Sequence, residues 1–521
     1  MKKIISILVV AFVCLMVTPT NAQIDVKRLG KQIKRSTEER VEQKVKQKSY
    51  QTTEKGFDKI EQSAKKGMGR KGSKPTRSGS KSGSSSTSST GTVSVVKAKG
   101  NDIYVSFSKG NNRNDGTKEA PYKNIQKAIN DAKDGDVIRI AEGNYLGLMN
   151  IGFIELDKAV SLVGGYNSDF TKRDPIKYQT TIQPRPEQSG TSSNKSLLTV
   201  NLKNANVVFD GLILDRGWQT GYSISSNDAD RGQPEGVETG RFLPPPTRGG
   251  NHGVTHVLSN VQPLLGGSAE NCDITIQNCI FLNASNYGIQ MGIRTSTVRV
   301  INNLFVNSRM AAVEIRGTSA AHAAIQEDVE FAYNTILFAW SRTKEFEDMG
   351  YGFRFMTGVH YNIHDNIIGG ACFSGLDKTR IDSREASREI HVNDNLFFLN
   401  KQADLTLPSQ GGLFMRIRTD MFEDVEDLSS AEGNITATPE DYPQLTDAID
   451  HAYLNGFINA AYKEEASHDP NSPANVFRQA MGMNMTGTIK STVTMFHNYY
   501  PLEKAIKLIG AIEDYGMQEI E

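Results

Sequence analysis

The chain has 521 residues, 38% of them hydrophobic, with 46 Gly and a formal net charge of zero from 59 Lys and Arg against 59 Asp and Glu. That length allows a large core, and the glycines supply turns for many short strands. Beyond the first 22 residues no apolar run is long enough to suggest a membrane span.

Residues 1–22 read as an export signal. Lys2 and Lys3 precede the apolar run Ile4 to Val17, and Thr20-Asn21-Ala22 offers small residues for cleavage, so the mature chain is expected to begin near Gln23. The predicted location is periplasmic, cell-surface or extracellular. Cys14 follows Phe12 and Val13 rather than small residues, which argues against a lipid anchor. Residues 23–77 form a basic arm. Between Ile24 and Lys81 there are 18 Lys or Arg against 7 Asp or Glu, with Val26, Leu29 and Ile33 at helical spacing. Two readings stand for this arm: a tether to an anionic envelope component, or a solvated, partly helical spacer. Nucleic acid is not the expected partner, because no aromatics are interleaved for stacking on bases. Residues 78–100 follow as a flexible linker, almost pure Ser, Gly and Thr from Ser78 to Thr92.

Past Pro121, the apolar positions Ile125, Ala128, Ile129 and Ala132 lie at i, i+3, i+4 and i+7. They predict a short amphipathic helix that plugs the open end of a core. Gly135 ends it, and Val137, Ile138 and Ile140 begin strands. Farther on, one pattern recurs: apolar-x-apolar-x-x-Asn followed by apolar residues. Copies start at Ile274, Val298, Val329, Tyr361 and Ile390, at intervals of 24, 31, 32 and 29 residues. Each copy alternates with period two, so it is a strand that cannot bury its inner side without neighbours. Stacked coils supply them. Asn303, Asn334, Asn366 and Asn395, with Cys279 in the first copy, are expected to form a turn ladder, since Asn tolerates left-handed backbone and its amide reaches the next coil.

With these coils in place, two further stretches bear on the fold: Ile103 to Tyr145, and Val163 to Asp174 (V-G-G-Y-N-S-D-F-T-K-R-D). Together with the coils they resemble the pectin-lyase-like superfamily of right-handed parallel β-helices over roughly residues 101–430. The resemblance implies an all-β solenoid over residues 101–436 with an N-terminal capping helix. Residues 437–521, where Leu502, Ala505, Ile506 and Ile509 mark a helix after Pro501, are expected to be a mixed cap over the last coil. It implies a polysaccharide partner, and a groove on the outside of one sheet. It does not choose among lyases, hydrolases, esterases and non-catalytic surface proteins.

The strands after the Asn turns align by a small residue at Gly288, Ala312, Gly352 and Gly375. Ile289, Val313, Phe353 and Leu376 then point inward, and Gln290, Glu314, Arg354 and Asp377 share an outward column, with Arg316 one step along. Glu314, Arg316, Arg354 and Asp377 are the candidate catalytic residues, and Gln290 a candidate substrate contact. A lyase acting on uronic acids neutralises a carboxylate and abstracts the neighbouring proton, sometimes with Ca²⁺ as cofactor, whereas a hydrolase uses two carboxylates. The bland alternative is a set of solvated, cross-strand ion pairs. A second candidate is the base of the aperiodic stretch Trp218 to Gly267, where Asp215, Arg216 and Trp218 could meet a sugar. His360, His364 and His391 show no common outward register and are poor ligands. No Cys or Cys/His spacing suits a metal, and Cys272, Cys279 and Cys372 are expected to be free, buried thiols. Two function classes stand: an exported polysaccharide-active or polysaccharide-binding protein, and a non-catalytic envelope protein.

Overall fold

The computed structural model describes residues 93, 95–146, 154–183, 196–216, 263–284, 286–317, 324–340, 349–380, 388–409, 414–451 and 499–520, with isolated positions at 220–222, 256–258, 453, 454, 457 and 479. The export signal, the arm, residues 78–92 and 94 of the linker, and Trp218 lie outside the described residues.

Three nine-stranded sheets run the length of residues 102–437. Sheet A starts with Asp102–Val105 and ends with Ile390–Asn393; sheet B runs from Gly143–Tyr145 to Ile435–Ala437; sheet C runs from Ile154–Leu156 to Phe414–Ile417. Each coil visits A, B and C in turn, and neighbouring strands are parallel, as in Ile274↔Val298↔Val329↔Tyr361↔Ile390, except that Phe414–Ile417 closes sheet C antiparallel to Ala403–Pro408. The fold is the expected parallel β-helix. Its inner faces stack like residues on like, with Phe281, Phe305, Phe331 and Phe353 forming a chain of ring contacts through the core. The helix Ile125–Asp131 buries Ile125, Ala128 and Ile129 against the first coils, as its stripe predicted.

The Asn ladder is present and longer than the sequence suggested. Each side-chain amide donates to the next Asn, from Asn303 to Asn334 (3.0 Å), Asn366 (3.1 Å), Asn395 (2.9 Å) and finally Asn434 (3.0 Å). The left-handed residue, however, is the one before each ladder Asn. Asn302, Tyr333, Asp365 and Asp394 have φ of 58°, 53°, 55° and 52°. The turn therefore uses two residues, one for backbone conformation and one for the amide, where the pattern had assigned both tasks to one. The Val163–Asp174 stretch is a buttress: Arg173 donates to the Gly164 carbonyl (3.0 Å) and to Asp210 (2.6 Å) in the next coil.

Two expectations need correction. The end of the last coil is closed by residues 414–428, where Ile417 and Phe422 join the main core and Phe422 meets Phe397 edge-on. The C-terminal residues instead lie along the outside of sheet B. Leu445, Tyr453, Leu454, Phe457, Tyr500, Leu508 and Met517 cluster there with Ile213, Leu282, Val306, Leu337 and Phe398 from successive coils. The helix after Pro501 is a single turn, Leu502–Ala505, continued by a 3₁₀ turn, Ile506–Leu508. The interruption after Asp215 also ends earlier than expected, since Leu265–Glu270 is already a strand of sheet C. Within it, Thr220–Tyr222 and His256–Leu258 pair as a separate parallel ribbon. No helix among the described residues is long and apolar enough to cross a membrane.

Candidate functional site

Sheet C holds the aligned column. Gly266, Gln290, Glu314, Arg354, Asp377 and Thr406 face one another on consecutive strands, with Thr199 before them and Arg416 after. Ile289, Val313, Phe353 and Leu376 point into the core, each fully buried, as the alternation required. The small residue at the start of each strand lets the coil turn the corner tightly: a Cβ on Gly352 would lie 2.5 Å from the Gly375 carbonyl oxygen.

The column is outward in register yet withdrawn from solvent. Glu314, Arg354 and Asp377 are 4%, 5% and 0% exposed, whereas Gln290 is half-buried and Arg316 exposed. Arg354 donates through Nε to Asp377 Oδ2 at 2.8 Å and through Nη1 to Glu314 Oε2 at 3.3 Å. Gln290 donates to Glu314 Oε1 (2.8 Å), and the Thr406 hydroxyl and Thr379 N–H both donate to Asp377 Oδ1 (3.0 and 3.1 Å). Tyr287, Tyr351 and Phe373 pack beside the ions, with the Arg354 guanidinium 5.1 Å from the Tyr351 ring centre. Burial alone would lower the Arg354 pKa, but Asp377 and Glu314 outweigh it and raise the pKa further, so the side chain stays a cation. Burial, with Glu314 beside it, raises the Tyr287 hydroxyl and keeps it neutral.

Arg316 sits opposite Gly292 on the neighbouring outward row, where Asn201 and Ser268 precede it. Next to Asp377, a register shift between Arg354 and Met356 accommodates Lys378, a buried lysine whose pKa burial lowers and whose ammonium meets Asp427 at 3.0 Å. The sequence pattern missed Lys378 because a bulge leaves no trace in period-two alternation.

Asp215 and Arg216 are elsewhere, at the turn from sheet B toward sheet C, and both are 2% exposed. Asp215 accepts hydrogen bonds from Gln183 (2.9 Å), Asn283 (2.9 Å) and the Tyr499 hydroxyl (2.6 Å). It anchors the C-terminal segment. The structure therefore brings Gln290, Glu314, Arg354 and Asp377 together, places Arg316 one row away, and puts Asp215 and Arg216 under the cover of sheet B. The three histidines need a correction: His360 and His364 alternate with Asn362 on one strand of sheet A, His391 pairs with Asn362, and none of the three is buried, so they share its outer face. Cys272, Cys279 and Cys372 are free and buried, and burial pushes the Cys279 thiol up to about 12. Among the described residues, no group of three or more His, Cys, Asp or Glu converges as a metal site would require.

The three-sheet parallel coil is the architecture that the pectin-lyase-like resemblance implied. This chain folds as a parallel β-helix. A family described as a protein of unknown function (DUF1565) matches residues 108–217. Among solved structures, pectate lyase Pel9A is similar at 12% identity, over 66% of this chain and 78% of that one, with a TM-score of 0.32. A rhamnogalacturonan lyase is similar at 12% identity, over 74% of this chain and all of that one (100%), with a TM-score of 0.29. The lacto-N-biosidase of Eubacterium ramulus is similar at 11% identity, over 64% and 68%, with a TM-score of 0.22. No curated protein matches the chain.

Proposed function

We propose that this protein is an exported β-helix that binds a polysaccharide along the outer face of sheet C, beside the Gln290–Glu314–Arg354–Asp377 row. The observation that carries this reading is the row itself. Successive coils, about 4.8 Å apart, present polar side chains in register, and a polymer of repeating sugars offers hydroxyls on a comparable repeat. The outer face of sheet B, by contrast, is apolar and already occupied by the chain's own C-terminal residues. The pectin-lyase-like resemblance supplies the ligand class.

Binding is favoured over cleavage. A lyase needs a base that can take a proton, and Arg354 is held as a cation between Glu314 and Asp377. A hydrolase needs two carboxyls that reach the sugar, and both are below 5% exposed. A second reading, a non-catalytic envelope protein tethered by the basic arm, is favoured by the completeness of the column's own hydrogen bonding.

Titration calorimetry of the full chain against acidic and neutral polysaccharides, with and without Ca²⁺, tests the proposal. Ultraviolet absorbance and reducing ends are followed in the same samples. Binding that is lost in Gln290→Ala supports it. Unsaturated products that vanish in Arg354→Lys would replace it with a lyase. No binding to any polymer would leave the envelope reading.

A further inference from the structure

We infer that the glycan accepted by sheet C is neutral, an inference that rests on the polysaccharide reading above. A polyuronate carries a carboxylate on every sugar, so the face that holds it needs uncommitted positive charge coil after coil. Sheet C does not offer that. Along the row, which Glu155 and Arg416 extend at its two ends, the cations are Arg354 and Arg416 against the carboxylates Glu155, Glu314 and Asp377, and the Arg354 guanidinium already serves two of them, Asp377 at 2.8 Å and Glu314 at 3.3 Å. The next outward row adds Asn201, Ser268, Gly292 and Arg316, and the Arg316 guanidinium reaches toward Gly292, where a Cβ would lie 3.9 Å from Nε. Over the first row three carboxylates thus face two cations, which leaves no excess positive charge there. Lys203 and Arg294, farther along the same strands, share Glu270 at 2.9 and 3.7 Å.

The accessible end of the column sharpens the point. Gln290 is its half-buried member, and its amide donates to Glu314 Oε1 at 2.8 Å. A sugar carboxylate approaching Gln290 therefore meets a buried anion directly behind the amide, where little water screens the repulsion. A sugar hydroxyl meets no such obstacle. Asn201 and Ser268 are exposed and linked to each other at 3.3 Å, and both can donate and accept. Gly292, beside Ser268, lowers the surface there, so hydroxyls can approach closely.

The test uses the full chain. Binding constants are measured by calorimetry or affinity electrophoresis for xylan, galactan and a mixed-linkage glucan against polygalacturonate and alginate. Each is run with and without Ca²⁺, at about 50 and 300 mM salt. The expected result is a neutral polymer bound at least about ten-fold more tightly than either polyuronate, with little salt dependence. Asn201→Ala with Ser268→Ala, and Gln290→Ala separately, weaken that binding about ten-fold, while Arg316→Ala changes it less than about two-fold. Circular dichroism confirms that each variant folds. Tighter binding of a polyuronate, with or without Ca²⁺, overturns the inference and keeps the polysaccharide reading. Neutral binding untouched by all the variants removes the ligand from sheet C, and no binding by any polymer overturns both.

Discussion

Sheets B and C are built from the same coils and solve opposite problems. The sheet B strands are continuous apolar runs, such as Ile280-Phe281-Leu282 and Leu304-Phe305-Val306. Phe281 and Phe305 enter the main core, while Ile280, Leu282, Leu304 and Val306 face the other way into a second cluster. A parallel sheet that is apolar on both faces must be covered. The chain covers it with its own end, fastened at the corner residues: Tyr500 N–H donates to Asn283 (2.7 Å), Gln518 N–H to Asn302 (2.7 Å) and Met517 N–H to Thr335 (2.9 Å). Sheet C alternates beyond its corner except at the bulge beside Lys378, and its outer row satisfies itself with ion pairs. The lesson is that the face free to do something else is the one that the fold does not need to bury.

The largest expected effect breaks the sheet C side. Arg354→Met leaves Glu314 and Asp377 buried without their shared cation, which should cost roughly 3–5 kcal/mol in urea denaturation. Adding Glu314→Gln and Asp377→Asn should recover most of that loss. A cost below about 1 kcal/mol would mean that the row is screened by water and that the contrast with sheet B is false. On the other side, Leu508→Ala removes a fully buried side chain from the cover, with an expected loss of roughly 3 kcal/mol. It should leave polysaccharide binding unchanged, which separates the two faces. Asn302→Ala removes one fastening, from the Gln518 N–H, along with a rung to Asn278 (2.8 Å). A loss of about 1–2 kcal/mol is expected in the same assay.

Much of this was legible from residues alone. Period-two alternation assigned the inward Ile289, Val313, Phe353 and Leu376, and with them the register of the column, because a shift of one residue would expose every core side chain. Burial of the column was not legible, since alternation tells which way a side chain points and not what lies beside it; Tyr287 and Tyr351 arrive from the corner, where alternation lapses. The cover over sheet B did leave a signal. Three apolar residues in a row, as after Cys279, Asn303 and Asn395, cannot all face one core, and that excess points to a second apolar partner. The outer-face histidines were missed for a simpler reason: His360 and His391 lie on different coils, and only the pairing of Tyr361 with Ile390 shows that both point outward.

Sheet A lies between the two cases, and it carries the smallest predicted effect. Its outer face is a mixed-charge ladder in which Arg299 meets Asp273 and also Glu330 (3.6 Å), and His364 meets Glu330 (3.6 Å) and Asp365 (2.7 Å). Burial alone would lower the His364 pKa, but hydrogen bonds to Asp365 and Glu330 raise it to about 9. A folded value above the unfolded one of about 6.5 means that the protonated ring stabilises the fold. That contribution is complete below pH 6.5 and disappears as pH rises through about 9. His364→Gln, which cannot carry the charge, should therefore cost roughly 1–2 kcal/mol at pH 6 and much less at pH 10. Paired urea titrations of the two proteins at those pH values measure it. A difference that stays flat across the range would show that the ring is held by packing against Tyr333, whose ring it meets edge-on at 6.4 Å, and that charge on this face is as incidental to the fold as sheet C's polar row is essential.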